Sequence, residues 1–218
     1  YLTWYGKEHP APDLLETSVY GLTELDRAGI AGASLVANPG CYPTGAILAL
    51  APLVHEGLIT NQLIVDAKSG VSGAGRGMSM VTHFSEVNEN VFAYGVDGHR
   101  HLPEITQELR RLRVDYEPKV IFQPHLIPMT RGILDSVYAD LVDGAFASTE
   151  AARAGIRDLF ASYYEGEPFV RVVDAPPQTK HTWGNNDCLI YPMVDQRTGR
   201  VMVFAVLDNL VKGAAGQA

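Results

Sequence analysis

Short apolar runs, punctuated by glycine, proline and polar clusters, follow one another along most of the chain. Leu63–Ala67, Lys119–Gln123, Leu134–Val142, Phe169–Val173, Cys188–Val194 and Val201–Leu207 are short and rich in β-branched or aromatic residues, so they predict buried or half-buried strands. Ser34–Ala37 reads as the end of a further strand, stopped by the turn signal Asn38-Pro39-Gly40. Three segments predict helices. Pro43–Glu56 is dense in Ala, Leu and Ile with a proline in its first turn. His101 or Leu102 to Val114 has Pro103 near its start and a charged outer face, and Thr149–Tyr163 follows Ser148, a suitable N-cap. Asp195–Arg200 joins the last two strands as a hairpin, and Lys68–Met78, full of Gly and Ser, reads as a loop. Strands in succession with few helices between them predict an α+β fold with a largely antiparallel sheet.

Composition narrows the functional classes. Apolar residues make up 46% of the chain, enough for a sizeable core, and the net charge of -8 gives no support to a nucleic-acid or anionic-membrane partner. Every apolar run is broken well before the roughly 18 residues a membrane span needs. The opening Tyr1–Gly6 lacks the charged and apolar regions of a signal peptide. Two cysteines, Cys41 and Cys188, stand far apart with no CxxC, a pattern that favours a cytoplasmic protein over a disulfide scaffold. The aromatic start without Met, and an end at Asp208–Ala218 that reads as the beginning of a helix, suggest part of a longer protein.

Four stretches could carry chemistry. In Asn38-Pro39-Gly40-Cys41-Tyr42-Pro43-Thr44-Gly45 a strand ends, the chain turns, and a cysteine sits at the mouth of a helix. The free N–H groups and positive dipole end there would lower a thiol pKa and could hold an oxyanion. The plain alternative is an inert core cysteine. In Gly98-His99-Arg100-His101-Leu102-Pro103-Glu104 two histidines could serve as proton partner to the cysteine, with Glu104 placed to orient a histidine or cap the helix. A His-x-His metal site lacks a third ligand at a recognisable spacing. Lys68–Gly77 could bring backbone N–H groups and Arg76 to a phosphate, though it fits neither the P-loop nor the Rossmann spacing. Arg131, in a proline-rich bend, is either an anion contact or a structural arginine.

These stretches together resemble N-acetyl-gamma-glutamyl-phosphate reductases. The resemblance runs through Val19–Leu25, Asn38–Thr44, Ser69–Arg76, His99–Ile105, Pro128–Ile133 and Asp208–Ala218. It implies a mixed sheet with helices on one face, as in the C-terminal domain of glyceraldehyde-3-phosphate dehydrogenases. It divides the chain into 1–40, the end of a dinucleotide-binding domain and the junction; 41–208, the catalytic, substrate-binding and oligomerisation domain; and 209–218, the start of a C-terminal helix. The Rossmann domain would precede Tyr1. The implied activity is NADP-dependent reduction of an acyl phosphate to a semialdehyde, in arginine biosynthesis, by a dimer or tetramer. Residue by residue, it makes Cys41 the nucleophile and His101, with His99 in reserve, the acid/base beside Glu104. It sets Ser69, Gly70 and Asn209 at the cofactor, and Asn38, Tyr94, Arg76, Arg100 and Arg131 at the substrate, with no metal. The competing readings are an aspartate-type semialdehyde dehydrogenase, a non-redox cysteine acyltransferase or hydrolase, and a dimerisation module without turnover.

Overall fold

The computed structural model describes residues Tyr1–Ala218. The strands are β1 (Val19–Tyr20), β2 (Val36–Ala37), β3 (Ile59–Gly70), β4 (Phe92–Ala93), β5 (Lys119–Ile127), β6 (Ile133–Leu141), β7 (Val170–Val172), β8 (Cys188–Val194) and β9 (Val201–Leu207). The α-helices are α1 (Leu2–Tyr5), α2 (Asp13–Thr17), α3 (Thr23–Gly32), α4 (Cys41–His55), α5 (Phe84–Val87), α6 (Leu102–Leu112) and α7 (Thr149–Tyr163).

β1 and β2 form a small parallel pair, and the other seven strands form one sheet in the order β4-β5-β3-β6-β9-β8-β7. Within it β3/β5 and β7/β8 are parallel and the remaining neighbours antiparallel, which makes the sheet mixed and largely antiparallel, as expected. The parallel β3/β5 pair is made possible by the long crossover that contains α6. Side chains alternate strictly along β8, buried and half-buried from Cys188 to Val194. The buried set packs under α4, α6 and α7, which lie side by side on one face. The opposite face, with Ile64, Tyr138, Tyr191, Met202 and Phe204 half-buried, is not covered by any of these three helices.

α4 is the centre of the molecule: every residue from Tyr42 to Val54 is buried. An apolar sequence all round a helix fits that position. Its one defect is repaired from outside. Pro52 has no N–H to give the Leu48 carbonyl, and the Tyr164 hydroxyl, at the end of α7, donates to that carbonyl at 2.5 Å.

Several boundaries differ from the sequence reading. α4 opens at Cys41, two residues before Pro43, because Gly40 is extended and its carbonyl already accepts from the Thr44 N–H and hydroxyl. β3 continues through Lys68-Ser69-Gly70, since a ladder on each side outweighs the loop-like composition. β5 runs through Pro124 to Ile127. The Pro124 carbonyl accepts from Tyr94 N–H, so its missing donor falls on the side of the two-residue edge strand β4. Ser148 caps α7 as expected, accepting from the Ala151 N–H at 3.1 Å. The end of the chain forms a π turn, Val211–Ala215, rather than the start of an α-helix. Asp208 Oδ1 takes the Leu210 N–H, and the following N–H groups of Gly213 and Gly216 bond carbonyls five residues back.

Candidate active site

Cys41 is the first residue of α4, half-buried at the floor of a cavity of about 570 Å³. His99, Arg100 and His101 enter the cavity from the loop before α6, Tyr94 from beyond β4, Ser72 and Gly73 from beyond β3, and Asn209, Leu210 and Gly213 from the end of the chain. A volume of this size suits a small molecule.

The turn before Cys41 is tied down by Glu104. Its Oε1 accepts from the Gly40 N–H at 2.7 Å and from the Tyr20 hydroxyl at 2.6 Å. Glu104 therefore orients the turn that presents Cys41, 64 residues away in sequence. It forms no hydrogen bond to either histidine, and it is not a side-chain cap of α6. Burial raises its pKa, and the bonds from Tyr20 and Gly40 work against that rise.

Gly40 is required by close approach. A Cβ there would lie 2.6 Å from His101 Nε2 and 2.9 Å from Glu104 Oε2. His101 thus presses its Nε2 against the residue preceding Cys41, while its Nδ1 is buried without a partner. His99 Nδ1 accepts from the His101 backbone N–H at 3.2 Å, which puts the proton of a neutral His99 ring on Nε2. Burial pushes His101 down to about 3, with His99 and Arg100 adding to it, and burial with Arg100 pushes His99 down to about 4.

The thiol corrects an expectation. The N–H groups of Tyr42 and Cys41 do lower its pKa, as a helix start should, but burial outweighs them. With Asp135 and Glu104 adding to the effect, the Cys41 thiol is pushed up to about 11. At neutral pH the resting pair is a thiol and a neutral imidazole. Alkylation of Cys41 by iodoacetamide, with Cys41→Ser as background, is therefore expected to rise with pH towards a midpoint of about 11, because only the thiolate reacts. A midpoint below that of a free thiol would overturn this reading.

Other predicted residues fall into three groups. Tyr94 lines the cavity and pairs its hydroxyl with that of Tyr42 at 2.8 Å, and Arg100 is the one arginine on the cavity wall. Asn38 and Asn209 line it too, but their amides hold protein. Asn38 Nδ2 donates to the Ala214 carbonyl at 3.2 Å. Asn209 accepts from the Gly132 N–H at 2.7 Å and donates to Ser72 Oγ at 2.9 Å. Ser69, Gly70 and Arg131 are not on the wall. The first two belong to β3, with Ser69 Oγ turned onto the Gly70 carbonyl, and from this loop it is Ser72, Gly73 and Ala74 that reach the cavity. Arg131 sits 3.3 Å from the fully buried Asp208. Arg76 lines a separate cavity of about 630 Å³ that shares Ser72, Ser79 and Thr82 with the first. No group of three or more His, Cys, Asp or Glu side chains is placed to hold a metal ion. No helix is long and apolar enough to cross a membrane.

Sequence reasoning passed over Tyr42, Ser72, Asp135 and Gly213. Ser72 was within the loop already singled out. Gly213 gave no signal of its own.

Residues 41–209 match the family model described as semialdehyde dehydrogenase, dimerisation domain. The chain belongs to the semialdehyde dehydrogenase family. Curated relatives are named N-acetyl-gamma-glutamyl-phosphate reductase. The protein of Pelotomaculum thermopropionicum is 56% identical over 221 residues, and that of Dehalococcoides mccartyi strain BAV1 is 51% identical over 218 residues. Each alignment takes in 100% of this chain and 62% of the relative, so the chain spans about 62% of the length of these relatives. Solved semialdehyde dehydrogenases share the fold at low identity. Aspartate semialdehyde dehydrogenase II from Vibrio cholerae aligns with a TM-score of 0.69 at 18% identity, covering 93% of this chain and 66% of that one. A probable aspartate-semialdehyde dehydrogenase from Pseudomonas aeruginosa gives 0.64 at 19%, covering 98% and 68%.

Proposed function

We propose that this chain is the catalytic and dimerisation part of an NADP-dependent N-acetyl-gamma-glutamyl-phosphate reductase, acting in arginine biosynthesis through a thioester on Cys41. The observation that carries the reading is the approach of His101 Nε2 to the turn that presents Cys41, inside a cavity of substrate size. The names of relatives at 50–56% identity favour this substrate over the aspartate type.

The thiol attacks the acyl-phosphate carbonyl carbon as His101 Nε2 takes its proton. The C–S bond forms, the C–O bond to phosphorus breaks and phosphate leaves. Burial holds His101 low and the thiol high in the resting site, so the proton moves only as the C–S bond forms, and no charge waits buried between turnovers. The Cys41 and Tyr42 N–H groups at the first turn of α4 lie next to the sulfur and would hold the oxyanion. When bound, the nicotinamide supplies the hydride that reduces the thioester carbonyl. The C–S bond then breaks, the aldehyde forms and His101 returns the proton to sulfur.

The residues present fit a nicotinamide ring. Ser72, Gly73, Ala74, Asn209 and Leu210 give the cavity a small-sided, uncharged wall. The cation or glycine-rich helix start that pyrophosphate needs is not on that wall, so the rest of the dinucleotide falls to the part of the longer relatives outside this chain. The uncovered sheet face, with Tyr138, Met202 and Phe204, suits a second copy, in keeping with a family model named for dimerisation. A cytoplasmic setting would keep the two unpaired cysteines reduced.

The substrate carries two anions, and two arginines without ion-pair partners line the two neighbouring cavities: Arg100 in the cavity of Cys41, and Arg76 in the other. Arg100 is assigned to the phosphate and Arg76 to the α-carboxylate. The full-length protein should oxidise N-acetylglutamate semialdehyde only with phosphate and NADP, and Cys41→Ser should abolish this. Arg100→Ala should raise KM for phosphate, and Arg76→Ala KM for the aldehyde, each about tenfold or more as expected for a charged contact. Turnover of aspartate semialdehyde in preference, or turnover without nicotinamide, would refute the proposed activity. An exchange of the two KM effects would reverse the arginine assignment.

A further inference from the structure

We infer that Gly213 is a positioning residue for Cys41, and that the C-terminal turn is a backstop that sets where the nucleophile stands. The inference rests on the proposed role of Cys41. A Cβ on Gly213 would lie 2.9 Å from Cys41 Cβ, 3.2 Å from Cys41 Cα and 3.1 Å from Leu207 Cδ1. Two of these are atoms of the nucleophile's own residue, with no flexible side chain to swing away. Gly213 is therefore in contact with Cys41 through backbone alone.

The turn that carries it is fixed from several directions. Lys212 is buried and bonds the buried Glu24 at the start of α3. The Ala214 carbonyl accepts from Asn38, the Gly216 carbonyl from Asn186 at 3.2 Å, and Gln217 Nε2 donates to the Gly21 carbonyl at 2.9 Å. The Gly213 N–H itself bonds the Asp208 carbonyl at 2.9 Å. None of these partners belongs to α4. The turn is thus held independently of the helix it presses on, which is what a backstop requires. Cys41 thus abuts Gly213, and the residue before it, Gly40, abuts His101.

A methyl group at 213 must push Cys41 away or lift the turn. A displacement of about 1 Å at a reacting centre costs roughly 10²-fold in rate. The test uses the full-length enzyme and the variants Gly213→Ala and Gly216→Ala. A Cβ on Gly216 would meet Asn186 Oδ1 at 2.1 Å and Val211 Cγ1 at 2.7 Å, so that variant disturbs the same turn away from Cys41. Gly213→Ala should lower kcat about 10²-fold with KM values held within about twofold. It should also change the rate of Cys41 alkylation by iodoacetamide by more than about threefold, a change Gly216→Ala should not make. The alkylation needs no substrate, so it reads the position of the thiol even if the enzyme reduces something else. A kcat for Gly213→Ala near that of the parent, or an equal loss in both variants at equal loss of stability, would overturn the inference. If Gly213→Ala does not fold, Asn38→Ala releases the Ala214 carbonyl without adding an atom near Cys41. A fall in kcat and a changed alkylation rate would then support the backstop, and neither changing would refute it.

Discussion

His101→Asn is expected to lower kcat by about 10² to 10⁴-fold, the usual contribution of a positioned acid/base, while His99→Asn costs far less. The two ring centroids are only 4.7 Å apart, yet their surroundings differ. His101 Nε2 faces the turn at Gly40, whereas His99 Nδ1 is occupied by the His101 backbone N–H. In the proposed mechanism His99 holds the loop in shape and His101 is the base for the thiol. The pH dependence follows from the thiol. Below about 11 Cys41 keeps its proton and needs a base. As pH rises towards that value the thiolate forms unaided, so the His101→Asn deficit should narrow on the alkaline side. Steady-state rates from neutral to alkaline pH would show it. An equal loss in the two histidine variants, or a deficit that stays constant with pH, would remove His101 from this role.

Lys212→Met is expected to lower the free energy of unfolding by about 3–5 kcal/mol, the range for stranding one partner of a buried ion pair. Lys212 and Glu24 are each 2% exposed in their side chains, and Glu24 Oε2 already lacks a hydrogen-bond partner. Without the ammonium, Glu24 must be buried as an unpaired charge or take up a proton. The double variant Glu24→Leu with Lys212→Met should recover much of the loss, because it removes both charges and leaves apolar groups of similar size. Urea unfolding of the parent, the single and the double variants measures this. A loss under about 1 kcal/mol in Lys212→Met, the scale of a surface pair, would mean that water reaches the pair.

The long elements were legible because most are apolar runs of the right length between breakers. β8 and β9 are seven-residue apolar runs, α7 carries its cap, and the apolar run of α4 has the length of a helix. The pieces that were not legible are those decided by tertiary pairing. Lys68-Ser69-Gly70 has a loop's composition but two neighbouring strands, and β1 and β4 are only two residues long. At the site, Cys41 with the histidines stood out by residue type and order. What sequence could not supply was direction. Glu104 turns back to Gly40, Arg131 to Asp208, and Asn38 to Ala214, so three polar side chains assigned to chemistry hold backbone or a buried carboxylate instead. The sign of the thiol's shift was equally out of reach, because burial of Cys41 is a property of the packed core and not of the helix start.

The hydroxyl of Tyr164 and the ring of Pro52 also have a history built into their geometry. With any other residue at 52, the Leu48 carbonyl would have its ordinary helical donor and the tyrosine hydroxyl would be surplus. Once proline stands there, the hydroxyl becomes the carbonyl's donor. The tolerable order of arrival is tyrosine first and proline second, and the reverse order passes through a buried carbonyl with no donor. The pair therefore works as a ratchet. Loss of the hydroxyl alone, as in Tyr164→Phe, is tolerable while residue 52 has an N–H and strands the Leu48 carbonyl once it is proline, whereas the ring of Tyr164 is needed by the core in either case.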